Sequence, residues 1–101
     1  MASIKINGII IEFEDKLRYE RRPTIAAPDS FSISWWRNLS KYAKDRNIMI
    51  SPLIQGLGHA SFILKHDNYK NLRDVYDNDW SFNPLNNETY DVQFDLYKDA
   101  I

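Results

Sequence analysis

A single dipeptide, Asn7-Gly8, sets the first limit on the fold, because it stands between two runs in which apolar residues alternate. Both residues of the pair tolerate the positive φ angles of a type I′ turn, and this turn joins neighbouring antiparallel strands. The flanking apolar positions are Ile4, Ile6, Ile9, Ile11 and Phe13. The sequence therefore predicts an N-terminal β-hairpin and, with it, an antiparallel sheet.

The spacing of apolar residues predicts the elements that follow the hairpin. Ser34 is placed as the N-cap of the first helix, and Pro52 in the third strand indicates a sheet edge or a bulge. The predicted elements are a helix over 34–46, strands over 48–54 and 59–65, a short helix over 68–76 and a strand over 90–96. The order β-β-α-β-β-α-β predicts an α+β fold in which a mostly antiparallel sheet of about five strands carries two helices on one face.

Length and composition limit the class of protein. A chain of 101 residues is long enough for one domain, 1–101, and too short for two. The chain has no cysteine, which excludes disulfides, cysteine-ligated metal and thiol catalysis. It has no apolar run long enough to span a bilayer and no N-terminal signal pattern. These features predict a cytoplasmic protein that does not enter a membrane.

Charge is distributed unevenly along the chain. Residues 1–50 carry nine Lys and Arg against six Asp and Glu, whereas residues 51–101 carry four against eight. The acidic half disfavours general binding to nucleic acid, which selects a basic face, and it suits a basic protein partner. An acidic surface that is simply solvated remains the alternative.

The two histidines, His59 and His66, are the first candidates for catalysis. A pair could serve as base and acid, but positions 59 and 66 face opposite sides of a strand that runs over 59–65. Ser61 lies near His59 without the Gly-x-Ser-x-Gly context of a nucleophile. The sequence therefore predicts no catalytic residue and no enzyme.

The segment over 77–88, DNDWSFNPLNNE, comes close to the ligand spacing of a calcium-binding loop. Phe82 stands where that loop needs glycine, Pro84 removes a backbone donor, and a predicted strand follows in place of a helix. We therefore predict no metal and no cofactor.

Two large aromatic residues, Trp80 and Phe82, stand within the same polar segment. They either fold inward as a lid over the sheet or point outward as anchors for a basic partner, with the surrounding carboxylates as steering groups. Asp91 and Asp95 share one side of the predicted last strand. The candidate partner-binding residues are Asp74, Asp77, Asp79, Trp80, Phe82, Glu88, Asp91 and Asp95.

In general character the chain resembles the small bacterial immunity proteins of toxin–immunity systems, including contact-dependent growth inhibition and polymorphic toxins. The resemblance lies in one compact domain without a catalytic motif and in the acidic segment with embedded aromatics. It implies an antitoxin-like inhibitor that binds a cognate basic toxin, commonly a nuclease. The alternative is a small nucleic-acid-directed or phage-type regulator that uses a basic surface of Arg21, Arg22, Arg37, Lys41 and Lys44.

Overall fold

The computed structural model describes residues 5–101 and contains four short strands and three α-helices in that range. The elements in chain order are β1 (Gly8–Glu12), α1 (Ile33–Lys44), β2 (Met49–Leu53), α2 (Ser61–Leu64), β3 (Arg73–Val75), β4 (Asn78–Phe82) and α3 (Asn87–Ala100). Short 3₁₀ helices cover Pro23–Ile25 and Asp67–Leu72. No helix in the described part of the chain is long and apolar enough to cross a membrane.

Strands β1 and β2 form a parallel pair, with Gly8 opposite Met49 and Glu12 opposite Leu53. The long connection between them contains α1, which packs against β2. Parallel neighbours need such a crossover, because the chain must return to the end from which it started. The three consecutive isoleucines of β1 suit a strand, since β-branched side chains pack well on a pleated surface.

The predicted N-terminal hairpin is wrong. Asn7 and Gly8 do not form a type I′ turn, because no described glycine has a positive φ angle and Gly8 already begins β1. The carbonyl oxygen of Asn7 instead accepts a hydrogen bond from the backbone N–H of Met49, at 3.0 Å. Ile4, which was assigned to the first strand of the hairpin, lies outside the described residues.

The predicted sheet of about five mostly antiparallel strands is also wrong. The described residues contain two separate two-stranded sheets, the parallel β1–β2 pair and the antiparallel β3–β4 pair. The segment over 59–65 contains α2 instead of a strand, and the segment over 90–96 lies within α3. Residues 68–76, predicted as a helix, divide between a 3₁₀ helix and β3.

Two predicted elements are confirmed with small shifts of their ends. The helix predicted over 34–46 is α1, Ile33–Lys44, and its N-cap is Ser32 rather than Ser34. The Ser32 hydroxyl accepts a hydrogen bond from the backbone N–H of Trp35 at 3.1 Å, which satisfies one of the free donors of the first turn. The strand predicted over 48–54 is β2.

The hydrophobic core lies beside the parallel pair. It unites the segment after β1 with α2, the second 3₁₀ helix, β4 and α3. Its buried members are Phe13, Leu17, Tyr19, Ile25, Ala60, Phe62, Ile63, Leu64, Tyr69, Leu72, Phe82, Val92 and Leu96. This core fixes the loops that leave the carboxyl ends of β1 and β2, and those loops carry the candidate site.

Candidate functional site at the carboxyl ends of the parallel strands

The carboxyl ends of β1 and β2 lie side by side and are joined by a side-chain hydrogen bond. The amide nitrogen Nε2 of Gln55 donates to Oε1 of Glu12 at 3.0 Å, and the backbone N–H of Phe13 donates to the carbonyl of Leu53, also at 3.0 Å. In proteins with parallel sheets, ligands bind outside the carboxyl ends of the strands. This edge is therefore the first place to look for a site.

The loop after β1 presents two neighbouring carboxylates, Glu14 and Asp15. Glu14 has a left-handed backbone (φ 43°), and its carbonyl accepts a hydrogen bond from the buried Tyr19 hydroxyl at 2.8 Å. This bond holds the turn while the Glu14 residue is exposed to solvent. The Asp15 side chain is 18% exposed and lies 3.8 Å from Nζ of Lys16 and 3.7 Å from Nζ of Lys65.

The loop after β2 carries His59, which also has a left-handed backbone (φ 54°). Its imidazole packs on the indole of Trp80, with 4.3 Å between the ring centroids and 53° between the ring planes. Backbone hydrogen bonds tie this loop to β4: Phe82 donates to Leu57 at 2.8 Å, and Ala60 donates to Trp80 at 2.9 Å. The position of His59 against Trp80 is thus fixed by the main chain.

These two loops, α2 and β4 enclose a cleft of about 330 Å³. Next to it, the Ser61 hydroxyl donates to Oδ1 of Asp79 at 3.0 Å. The cleft combines carboxylates, one ammonium group, one imidazole and an aromatic face, which is the mixture of apolar and polar groups that binds a small polar molecule. It is lined by Glu14, Asp15, His59, Ser61, Phe62, Lys65 and Trp80.

A wider cleft of about 470 Å³ lies between α1, β2 and the end of α3. Arg37, Lys41 and Lys44 line it together with apolar residues such as Trp36 and Ile50. Its lining includes Phe13 and Pro52 near the carboxyl ends of the strands, but it contains none of the carboxylates of the loop after β1. We therefore place the candidate site in the smaller cleft.

Trp80 and Phe82 stand two residues apart on β4 but differ in burial. Phe82 is 1% exposed and belongs to the core, whereas Trp80 is 50% exposed at the rim of the cleft. The two orientations considered from the sequence are therefore each taken by one residue. Phe82 is an inward-facing core residue, and Trp80 is the outward-facing aromatic.

The eight candidate partner-binding residues lie on β3, the turn before β4, β4 and α3. Asp79 contacts Ser61 and Trp80 lines the cleft, but Asp95 is paired with Arg22 at 2.9 Å. Asp91 and Asp95 lie on α3 instead of sharing one side of a strand. The remaining candidates are exposed outside the cleft lining, except for the buried Phe82: Asp74 on β3, Asp77 in the turn before β4, and Glu88 in the first turn of α3.

Within residues 5–101 no group of three or more His, Asp and Glu side chains is arranged to hold a metal ion. Asp79 is directed to Ser61, and the segment that matched a calcium loop contains β4. The acidic residues of the segment therefore lie on different elements: Asp77 in the turn before β4, Asp79 on β4 and Glu88 in α3.

The two histidines have different surroundings. His59 lines the cleft, whereas His66 precedes the second 3₁₀ helix and its Nε2 atom is buried without a hydrogen-bond partner. The strand that was used to separate them is absent, because α2 occupies most of that segment. The sequence reasoning also missed Glu14, Asp15 and Lys65. The available signal was a carboxylate pair directly after an apolar strand.

Comparison with known proteins gives two relatives with the same name. The chain is 36% identical over 70 residues to "Hexosaminidase D" of Bos taurus, an alignment that covers 68% of this chain and 20% of the relative. It is 33% identical over 79 residues to "Hexosaminidase D" of Homo sapiens, covering 77% of this chain and 16% of the relative. The chain thus spans about a fifth or less of the length of these relatives. No family model matches it.

These relatives correct the functional interpretation of the sequence. The resemblance to bacterial immunity proteins rested on general character, whereas the relatives are animal proteins named as a hexosaminidase. An assignment as a toxin inhibitor, or as the nucleic-acid-directed alternative, has no support from them. The sequence assignment failed because small size and an acidic segment occur in many unrelated classes of protein.

Proposed function

We propose that this chain is part of a hexosaminidase-type glycosidase and that its cleft forms part of a surface that binds hexosamine-containing glycosides. The observation that carries the proposal is the similarity to two proteins named Hexosaminidase D over most of this chain. The cleft at the carboxyl ends of β1 and β2 supports it, because parallel-sheet enzymes commonly hold their substrates at this edge.

The chemistry of the cleft also supports a glycoside as its ligand. Most glycosidases use carboxyl groups at the scissile bond, and Glu14 and Asp15 are adjacent carboxylates at this cleft. Sugar hydroxyls are both donors and acceptors of hydrogen bonds, so they match a site that offers carboxylates, a hydroxyl and an ammonium group. The sequence alone predicted that the chain is not an enzyme. We propose instead that the chain contributes residues to the site of an enzyme.

A chimaera tests the proposal. In bovine Hexosaminidase D, the segment aligned with this chain is replaced by the corresponding residues of this chain, and hydrolysis of a chromogenic N-acetylhexosaminide is compared with that of the matching glucoside. We expect the chimaera to retain its preference for the hexosaminide. A chimaera that melts cooperatively like the parent enzyme but hydrolyses neither substrate would contradict the proposal.

His59 and His66 provide a matched pair of variants in the chimaera. Because His59 lines the cleft, His59→Gln should lower kcat/KM by about tenfold or more, which corresponds to the loss of one good contact to the substrate in the transition state. His66→Gln should leave kcat/KM close to that of the unsubstituted chimaera, since His66 lies outside the cleft lining. Equal effects of the two substitutions on kcat/KM would show that the cleft does not bind the substrate.

A further inference from the structure

We infer that Trp80 is a stacking platform for the ring of a hexosamine and that Glu14 and Asp15 bind the polar groups of the same ring. The inference rests on the proposed function and specifies which part of the substrate the cleft holds. Trp80 is 50% exposed, whereas Phe62, the other large apolar residue that lines the cleft, is buried. Covering exposed indole surface with an apolar face removes it from water and therefore stabilises a complex.

The indole is held in place before any ligand binds. The His59 ring contacts it at 4.3 Å, and the backbone of Trp80 is fixed on both sides. The backbone N–H of Trp80 donates to Oδ1 of Asn78 at 2.9 Å, and the backbone carbonyl of Trp80 accepts a hydrogen bond from the N–H of Ala60 at 2.9 Å. A rigid aromatic group binds a ligand at a lower cost in conformational entropy than a mobile one.

Polar groups around the indole match the polar rim of a sugar ring. A pyranose has C–H bonds on its faces and hydroxyl or amide groups around its edge, so it can stack on an aromatic ring while its edge forms hydrogen bonds. Glu14 and Asp15 accept hydrogen bonds from hydroxyl and amide N–H donors, and Lys65 donates to ring substituents. Charge-assisted hydrogen bonds of this type are about twice as strong as neutral ones.

The size of the cleft selects a single ring. Its volume of about 330 Å³ is at the lower end of the range for small-molecule sites. The cleft therefore holds one monosaccharide unit. At the position where glucose has a hydroxyl, an N-acetylhexosamine has an acetamido group, which adds a carbonyl acceptor for the Lys65 ammonium group and a methyl group that can cover exposed apolar surface. We expect N-acetylglucosamine to bind more tightly than glucose.

The test is a titration of the ¹⁵N-labelled chain with N-acetylglucosamine, followed by NMR. The chain has three tryptophans, and the indole N–H signal of Trp80 is assigned from its loss in Trp80→Phe. This signal should shift in a saturable manner. Trp35 is an internal control, because it is 41% exposed but stacks on Phe31 at 4.0 Å, on a different part of the molecule. Its signal should remain unchanged.

Two variants and one control variant complete the test. Trp80→Ala should weaken binding by at least about tenfold, and Glu14→Gln should weaken it by a similar factor, whereas Trp35→Ala should leave the dissociation constant unchanged. Amide spectra of each variant establish that the core is intact. Absence of any shift at Trp80, or equal shifts at Trp80 and Trp35, would overturn the inference.

The outcome also separates this inference from the proposed function. If N-acetylglucosamine shifts signals at Glu12 and Gln55 but not at Trp80, the platform is refuted and a sugar site at the strand ends remains. If Trp80 titrates while the folded chimaera is inactive, the platform stands and the assignment to a glycosidase fails.

Discussion

Single residues show how the local backbone directs a side chain to the core or to the cleft. Trp80 and Phe82 are both large, apolar and embedded in the same polar segment, yet only Phe82 is buried. The two residues share one side of β4 by position. Phe82, at the end of the strand, belongs to the hydrophobic core, whereas Trp80 packs on His59 at the cleft. Residue type alone could not separate the two.

Tyr19 supports the loop that presents Glu14, and its titration gives a prediction for pH dependence. Burial, assisted by the negative charges of Asp15, Asp99 and Glu14, raises the pKa of the Tyr19 phenol well above its ordinary value. A group whose pKa is raised by folding stabilises the native state below its unfolded pKa, and this contribution is lost as the pH rises further. The free energy of unfolding should therefore decline above about pH 10.

Replacing Tyr19 with phenylalanine isolates the contribution of its phenol to stability. Tyr19→Phe should lower the free energy of unfolding at pH 7 by about 0.5–1.5 kcal/mol, since it removes the hydrogen bond to the carbonyl of Glu14. It should also flatten the decline above pH 10, as measured by urea denaturation at several pH values. Tyr42→Phe, at an exposed position of α1, is the control and should change neither quantity. A decline of unchanged steepness in Tyr19→Phe would contradict the assignment.

At the scale of elements, the two helices α1 and α3 were read from the sequence with different success. In α1 the apolar residues fit only the helical period. In α3, Val92 and Leu96 are four residues apart and both buried, so they fit a helix, but together with Tyr90 and Phe94 they also fit a strand. Packing decides between the two periods, because the core accepts Val92 and Leu96 while Tyr90 and Phe94 are exposed.

The start of α1 gives a prediction that distinguishes the sequence assignment from the structure. Ser32→Ala removes the acceptor for the Trp35 N–H and should lower the free energy of unfolding by about 1 kcal/mol. Ser34→Ala, at the N-cap predicted from sequence, should cost less than about 0.5 kcal/mol, because Ser34 is exposed and contacts only the hydroxyl of Ser32. Thermal or urea unfolding measures both. A larger effect at Ser34 would return the N-cap to the position predicted from sequence.

At the scale of the whole molecule, the described chain is elongated, with extents of 47 × 22 × 21 Å and a radius of gyration of 15.2 Å. A compact domain of this length has a radius of gyration of about 13 Å. Within the described residues, one face of the parallel pair is bare. Ile10 is 72% exposed and Met49 is 70% exposed, although parallel sheets are normally covered on both faces.

The open edges of the parallel pair lead us to expect fast hydrogen exchange at the amides that face outward. Alternate amides of a parallel strand face its partner, and those of Phe13 and Met49 do so here. The amides of Ile10, Glu12 and Ile50 therefore face outward and should exchange much faster than those of Phe13 and Met49. Equal protection, measured by NMR, would show that another strand covers these edges in solution.

The sequence by itself determined the elements whose apolar pattern fits a single period, α1 within one or two residues at each end and β2. Pro52 indicated that β2 is an edge strand. It suits the open edge of β2 because proline has no backbone N–H that would need a partner there. Only the tertiary structure decided the pairing of β1. Asn7-Gly8 permits a hairpin, but backbone hydrogen bonds to β2 compete with it, and a parallel partner distant in sequence leaves no local signal. The same reason explains the cleft: Glu14, His59 and Trp80 are far apart along the chain and meet only because the core brings their loops together.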